Sequence, residues 1–202
     1  MKDEVFLSYC HLFREHGYRL YMIGGTSRDY LLGRPYADFD FATDATPKEM
    51  ETFLPSASYA FARYGSVHDK HGESEVDLTT FREEGEYKDH RHPSWIKFVK
   101  EPSLDYRRRD FTVNAIYLDD KDGILDFAGG MDDLKHGIIR FIGDPKTRIQ
   151  EDPLRILRAE RFAKTLGFTI DPASQKAMDE LRGLLRYLNP EKVKMEERKL
   201  PK

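Results

Sequence analysis

Cysteine is almost absent from this chain, with Cys10 the only one in 202 residues. A single cysteine excludes an internal disulfide and a zinc site built from cysteines. Long apolar runs are absent too, since none approaches the roughly 20 residues that a membrane-spanning helix needs. The N-terminus has no basic-then-apolar signal pattern. These absences predict a soluble, cytoplasmic protein with no membrane partner.

A large net charge is also missing, because the formal value is −3. This argues against a protein that coats nucleic acid through a generally basic surface. Hydrophobic residues make up 39% of the chain, enough for a core beneath a strongly charged surface. The cations concentrate in two regions, which contain Arg107, Arg108, Arg109, Arg148, Arg155, Arg158 and Arg161. Taken alone, such clusters are typical of solvated helix faces.

The predicted secondary structure changes character along the chain. Helices are predicted over 5–16, from a cap at Thr26 or Ser27 to Leu32, from Pro47, from Asp110, over 152–166 and over 172–188. Strands are predicted over 19–23, 38–43, 75–81 and 138–142. Mixed elements followed by helices alone predict an α+β catalytic domain over residues 1–148 and a helical unit over 149–202.

The predicted strand that begins at Asp38 has one acidic face. Residues two apart on a strand face the same way, so the carboxylates of Asp38 and Asp40 lie side by side. Two such charges repel unless a proton or a cation lies between them. Hard oxygen ligands favour Mg²⁺, which takes its other ligands from water and substrate phosphates. The alternative is an exposed edge strand with two harmless acids.

Gly24 and Gly25 lie ahead of this strand, between a predicted strand and a predicted helix. Backbone N–H groups and the helix dipole favour a phosphate at such a turn. Arg28, expected in the first helical turn, could add a charge-assisted hydrogen bond. A phosphate turn followed by a metal-binding acid pair predicts a nucleoside triphosphate site.

These residues carry a family resemblance. The segment from Gly24 to Arg34, followed by Asp38 to Thr43, resembles the signature of class II tRNA nucleotidyltransferases (CCA-adding enzymes) and bacterial poly(A) polymerases. The resemblance extends over roughly residues 18–170. It implies a DNA polymerase beta-like nucleotidyltransferase head followed by a helical neck. It also implies Mg²⁺ as cofactor, CTP and ATP as substrates, and the tRNA 3′ end as acceptor.

The strand that contains Asp77 resembles the family strand with the third carboxylate. Activation of an attacking hydroxyl by a second metal usually needs such an acid. Glu75 points the same way by strand alternation and competes with Asp77, and both could be solvent-facing acids. The segment 83–93, with His90 and His92, resembles the family's flexible loop. That loop is implied to support the switch from adding C to adding A.

Two further segments resemble nucleotide-contacting blocks of the family. Arg109, Asp110 and Asn114 would contact the triphosphate and ribose, although a helix capped by Asp110 is the plain alternative. Asp152 and Arg155, three apart on a predicted helix, would present an acceptor and a donor to C or A. An ordinary intrahelical salt bridge is the alternative. Helix geometry makes Arg158 a candidate nucleotide contact. The resemblance implies the same role for Arg161.

The sequence therefore predicts a template-independent RNA 3′-nucleotidyltransferase of the CCA-adding type. A poly(A) polymerase or an A-adding enzyme shares every motif and is the nearest alternative. A nucleotide-binding module without transfer activity is the alternative from another class. It is kept because family members continue into further helical domains, so the neck is expected to be incomplete here.

Overall fold

The computed structural model describes residues 3–87 and 92–199. Contacts divide the chain into two compact units whose segments alternate along the sequence. The first unit comprises Met1–Glu83, Ile96–Tyr106 and Asn114–Phe127, and the second comprises Glu84–Trp95, Arg107–Val113 and Ala128–Lys202. The predicted domain boundary after residue 148 falls inside the second unit and stays a prediction.

Short strands alternate with helices through most of the described residues. The strands are β1 (Leu20–Met22), β2 (Phe39–Thr43), β3 (Ser66–His71), β4 (Ser74–Thr80), β5 (Arg82–Glu84), β6 (Ile96–Phe98), β7 (Ile116–Leu118), β8 (Ile124–Asp126), β9 (Ile138–Ile139) and β10 (Thr169–Ile170). The helices are α1 (Glu4–Glu15), α2 (Gly24–Leu31), α3 (Pro47–Met50), α4 (Pro102–Asp105), α5 (Gly130–His136), α6 (Pro145–Glu151), α7 (Leu154–Leu166), α8 (Pro172–Leu181) and α9 (Pro190–Arg198). No helix in the described part of the chain is long and apolar enough to cross a membrane.

The first unit is built on one mixed sheet. Among its described strands the order is β3-β4-β2-β1-β7-β8. β2 and β4 run parallel, and the other neighbours in the sheet run antiparallel. A mixed sheet with helices confirms the predicted α+β class.

Alternation along β2 and β4 separates the two faces of the sheet. Phe39, Phe41, Val76 and Leu78 point to one face and are buried. Helix α1 covers this face, with the ring of Phe6 5.3 Å from that of Phe41. The opposite face therefore carries the acidic residues of both strands.

Local sequence signals account for the helix ends that were predicted correctly. Helix α1 stops just before Gly17, which has a φ of +81° that glycine adopts most easily. Helix α3 begins with a full capping box, because Thr46 accepts from the Glu49 N–H while the Glu49 carboxylate accepts from the Thr46 N–H.

Three predicted elements are corrected. Helix α2 begins at Gly24, so Thr26 and Ser27 lie within it and do not cap it. The helix predicted from Asp110 is a short 3₁₀ turn over Thr112–Asn114, followed directly by β7. The helix predicted over 172–188 ends at Leu181 and is followed by a 3₁₀ segment over Arg182–Tyr187. The residues after Asn189 form α9, with Asn189 as its cap and Pro190 in its first turn.

The second unit is mainly helical. Helices α6 and α8 pack together, and β9 pairs with β10 in parallel. The ring of Phe111 lies 4.9 Å from that of Phe141 and 5.7 Å from that of Phe162. Phe111 is fully buried, so the residue after Asp110 anchors this unit's core.

Candidate functional site

Gly24 brings the start of α2 against the acidic strand. Its φ is +68°, and a Cβ built there would lie 2.8 Å from Oδ2 of Asp40. The next residue, Gly25, donates its backbone N–H to the same oxygen at 3.2 Å. A Cβ at Gly25 would lie 3.6 Å from that oxygen, at ordinary contact distance. Gly24 is therefore required by both backbone conformation and space.

Thr26 joins α2 to the acidic strand by a second route. Its hydroxyl donates to the carbonyl of Asp38 at 3.2 Å and accepts from the N–H of Asp40 at 2.8 Å. Thr26 is buried, with 2% of its surface exposed. Sequence reasoning missed this residue, since hydroxyls near a helix start are usually caps. The backbone of both predicted metal-binding residues is thus held by one side chain.

Asp38 and Asp40 lie at the start of β2, as predicted. Asp38 precedes the strand and is exposed, and Asp40 is half-buried on the open face of the sheet. Two carboxylates beside a helix start fit Mg²⁺, which needs only one or two protein carboxylates when substrate phosphates supply the rest. Within residues 3–87 and 92–199, no three acidic, histidine or cysteine side chains converge as a metal-binding group.

The strand register separates the two candidates for the third acid. Asp77 of β4 lies directly across from Asp40 of β2. Its carboxylate is hydrogen bonded to Nδ1 of His68, its neighbour on β3. Glu75 pairs with Lys70 at 2.8 Å, one position further out on the same face. The geometry favours Asp77 over Glu75 as the acid beside the pair.

Arg28 lies one turn further into α2 than predicted, because the helix starts at Gly24. Its guanidinium donates twice to Asp29, both at 2.9 Å, and once to Oδ1 of Asn114, at 2.8 Å. Arg28 is 6% exposed and Asn114 is also 6% exposed. The structure therefore brings together two predicted nucleotide-binding residues that are distant in sequence.

In the second unit, Asp110 and Arg158 form an ion pair. Oδ2 of Asp110 accepts from Nε of Arg158 at 2.9 Å and from its Nη2 at 2.5 Å. Burial alone would raise the pKa of Asp110, but the charge and hydrogen bonds of Arg158 lower it to about 2. Asp110 stays ionised at neutral pH and holds Arg158 in place.

The predicted geometry of Asp152 and Arg155 is wrong. Asp152 is the extended residue between α6 and α7, with φ −148° and ψ 97°, so it does not share a helix face with Arg155. Pro153 disfavours the helical conformation for the residue before it, which explains the break. The carboxylate of Asp152 instead accepts from the N–H of Leu154 at 3.1 Å.

Arg155 has a different carboxylate partner, Glu151. Oε2 of Glu151 accepts from Nη1 of Arg155 at 2.7 Å and also from Nη1 of Arg148. Nη2 of Arg148 in turn donates to the carbonyls of Arg108 and Arg109, at 2.6 and 2.9 Å. Arg148 and Arg155 are both buried. Sequence reasoning missed the bridging role of Glu151, although its spacings of three and four from the two arginines indicated it.

Two predicted features remain, Arg161 and the loop over residues 83–93. Nε of Arg161 donates to Glu196 of α9 at 2.5 Å, and its guanidinium lies 4.1 Å from the ring centre of Phe162. In the predicted loop, the hydroxyl of Tyr87 donates to the carboxylate of Glu84. Burial raises the pKa of Tyr87, and the negative charge of Glu84 raises it further. Residues 88–91, which include His90, lie outside the described residues, and His92 is exposed.

A mixed sheet whose acidic strand faces a glycine-initiated helix defines an α+β nucleotidyltransferase head. The family model for the poly A polymerase head domain matches residues 20–140, and the chain belongs to this family. The resemblance seen in the motifs is thereby confirmed.

Similarity to individual proteins supports the same family assignment. The CCA-adding enzyme of Bacillus licheniformis is 38% identical over 99% of this chain and 51% of its own length. The solved structure of the Bacillus stearothermophilus CCA-adding enzyme with CTP matches with a TM-score of 0.87 and 34% identity, covering 98% of this chain and 49% of that one. A tRNA nucleotidyltransferase complexed with primer tRNA and an ATP analogue matches at 0.73 and 30% identity, covering 93% and 54%. The chain thus spans about half the length of these relatives.

Proposed function

We propose that this chain is the catalytic part of a template-independent nucleotidyltransferase that adds C and A to the 3′ end of tRNA. The observation that carries the proposal is the contact between the Gly24–Gly25 helix start and the carboxylate of Asp40. The relatives named CCA-adding enzyme supply the substrate class. A cytoplasmic location is part of the same proposal, because the relatives are bacterial proteins and bacterial tRNA is cytoplasmic.

In the proposed reaction, the 3′-hydroxyl oxygen of the RNA bonds to the α-phosphorus of CTP or ATP. The bond from that phosphorus to the leaving oxygen breaks, pyrophosphate departs, and the hydroxyl proton passes to solvent water. Asp38 and Asp40 would hold Mg²⁺, which when bound supplies positive charge for the reacting phosphates. Asp77, across from Asp40, would assist the loss of the hydroxyl proton.

The positive end of the α2 helix dipole at Gly24 and Gly25 would orient the triphosphate, and Arg28 would be held for it by Asp29 and Asn114. Most of the rate would come from positioning and electrostatics.

Base selection is proposed for Asp152 and Arg155. Cytosine and adenine each present an amino group beside a ring-nitrogen acceptor, while guanine and uracil present a carbonyl beside an N–H. A mismatched base would leave buried groups unpaired, at a cost of about 1–3 kcal/mol for each. Because Asp152 lies outside α7, its carboxylate is placed by the turn at Pro153. Arg109, Arg158 and Arg161 would support the nucleotide on the same unit.

The second candidate is a poly(A) polymerase or an A-adding enzyme, favoured by the description of the matching family model. Purified protein given tRNA that lacks its CCA end, Mg²⁺, and labelled CTP or ATP separately distinguishes the two. CTP alone should give incorporation of C, and a reaction with both nucleotides should add a single A after it. Incorporation of A with no C at any concentration would contradict CCA addition. Nucleotide binding without extension of any RNA would favour a binding module.

A further inference from the structure

A row of side chains crosses the open face of the first unit's sheet. His68 on β3, Asp77 on β4 and Asp40 on β2 are direct neighbours in the strand register. His68 holds the carboxylate of Asp77 through Nδ1 and is itself partly exposed. The row therefore continues outward from the predicted metal-binding residues to an imidazole ring.

Phe61 extends this row with an exposed aromatic ring. The ring lies edge-on to His68, with 5.6 Å between ring centres and an angle of 84° between planes. Phe61 is 54% exposed, the largest exposure of any phenylalanine in the described residues. More than half of the surface of this side chain therefore faces solvent and is available to a partner.

The backbone holds Phe61 firmly in this position. Its carbonyl accepts from the N–H of Tyr64 at 2.9 Å and from that of Ser66 at 3.4 Å, at the 3₁₀ turn Ala62–Tyr64. Ser58, three residues earlier, pairs with His68 through two backbone hydrogen bonds of 2.7 and 3.1 Å. The backbone that carries the ring is thus fixed in advance, and the ring itself rests against His68, which limits the entropy cost of binding a partner.

The chemistry of the row favours a nucleobase over a phosphate. Asp38, Asp40 and Asp77 make this face acidic and repel a phosphate, whereas a neutral ring stacks on a base. The guanidinium of Arg63, two residues after Phe61, lies 4.5 Å from the ring centre of Tyr64 on an exposed residue, where it can meet the phosphate backbone of the same RNA. An acceptor whose last base changes after each addition also requires a contact that tolerates every base, and stacking does.

We propose that Phe61, braced by His68, is the surface on which the terminal base of the acceptor RNA stacks beside Asp77. The inference rests on the proposed function, since it assigns the acceptor side of that reaction. Such a contact holds the RNA end beside the acid that would assist the hydroxyl.

The test uses an acceptor RNA that ends in 2-aminopurine, whose fluorescence falls on stacking, with neither nucleotide nor Mg²⁺ present. Wild type should quench the probe. Phe61→Ala should bind it about 5- to 100-fold more weakly and abolish quenching, while Phe61→Tyr should retain both. Leu7→Ala, which removes an exposed apolar side chain from α1 on the other side of the sheet, is the matched control and should behave as wild type.

Steady-state extension provides the second readout. Phe61→Ala should raise KM for the RNA by a similar factor and leave KM for CTP unchanged. Equal quenching and equal KM for Phe61→Ala and wild type would overturn the stacking surface while leaving the proposed function intact. A wild-type chain that extends no RNA, yet shows quenching dependent on Phe61, would overturn the transferase proposal and retain the stacking surface.

Discussion

A Cβ atom on Gly24 would lie 2.8 Å from the carboxylate oxygen Oδ2 of Asp40. The first residue of α2 and the acidic strand are therefore in direct contact, and no side chain fits between them. The same oxygen accepts the N–H of Gly25. The helix start proposed to bind phosphate and the acid proposed to bind Mg²⁺ are thus parts of one local structure in the first unit.

Gly24→Ala should destabilise the protein by about 2 kcal/mol, because alanine is strained at a φ of +68° and its methyl group meets Asp40. Gly25→Ala is the matched control, since its methyl group has ordinary contact distances. Urea unfolding of both variants measures the difference. Equal losses of unfolding free energy would contradict the close approach at Gly24.

Stability should depend on pH through Asp110. Its pKa of about 2 lies below the value of about 3.9 expected in the unfolded chain, so the ionised form stabilises the fold above pH 4. This contribution, about 2 kcal/mol, is lost as the pH falls from about 4 to about 2. Asp110→Asn should therefore be less stable than wild type at pH 7, and the gap should close towards pH 2.

Urea unfolding across this pH range provides the measurement for Asp110. Glu73→Gln, on the exposed turn between β3 and β4, serves as the control and should follow the wild-type curve. A gap between Asp110→Asn and wild type that stays constant with pH would mean that the Arg158 ion pair is not its source.

Glu151→Gln should destabilise the second unit by about 3 kcal/mol. The substitution removes the carboxylate shared by Arg148 and Arg155 and leaves two buried cations near each other. Glu180→Gln removes an exposed ion pair with Lys146 and should have little or no effect. Thermal or urea unfolding compares the two variants. Similar losses would show that the buried network is not the source of the stability.

Features that depend on local spacing could be predicted from the sequence. Alternation along one strand was enough to place Asp40 on the face opposite the buried Phe39 and Phe41, and the capping signal at Thr46 gave the start of α3. The α+β class followed from the order of such elements.

Features that depend on tertiary contacts could not be predicted in this way. Asp110 and Arg158 are 48 residues apart, so nothing local indicates their ion pair, and Asp110 was interpreted as a possible helix cap. The prediction that Asp152 lies on a helix was wrong for the opposite reason. The residue before a proline prefers extended backbone, and at Asp152 this local preference outweighs the helical pattern. The roles of all the predicted site residues in the reaction stay predictions.

The central claim is that Asp38 and Asp40 act in nucleotidyl transfer. The most direct test measures transfer of labelled CMP from CTP to tRNA lacking its CCA end, with Mg²⁺, for Asp38→Asn, Asp40→Asn and the control Glu73→Gln. Both aspartate variants should lose at least about a hundredfold in rate while they still bind CTP, and the control should retain wild-type activity. Transfer at the wild-type rate by either aspartate variant would contradict the claim.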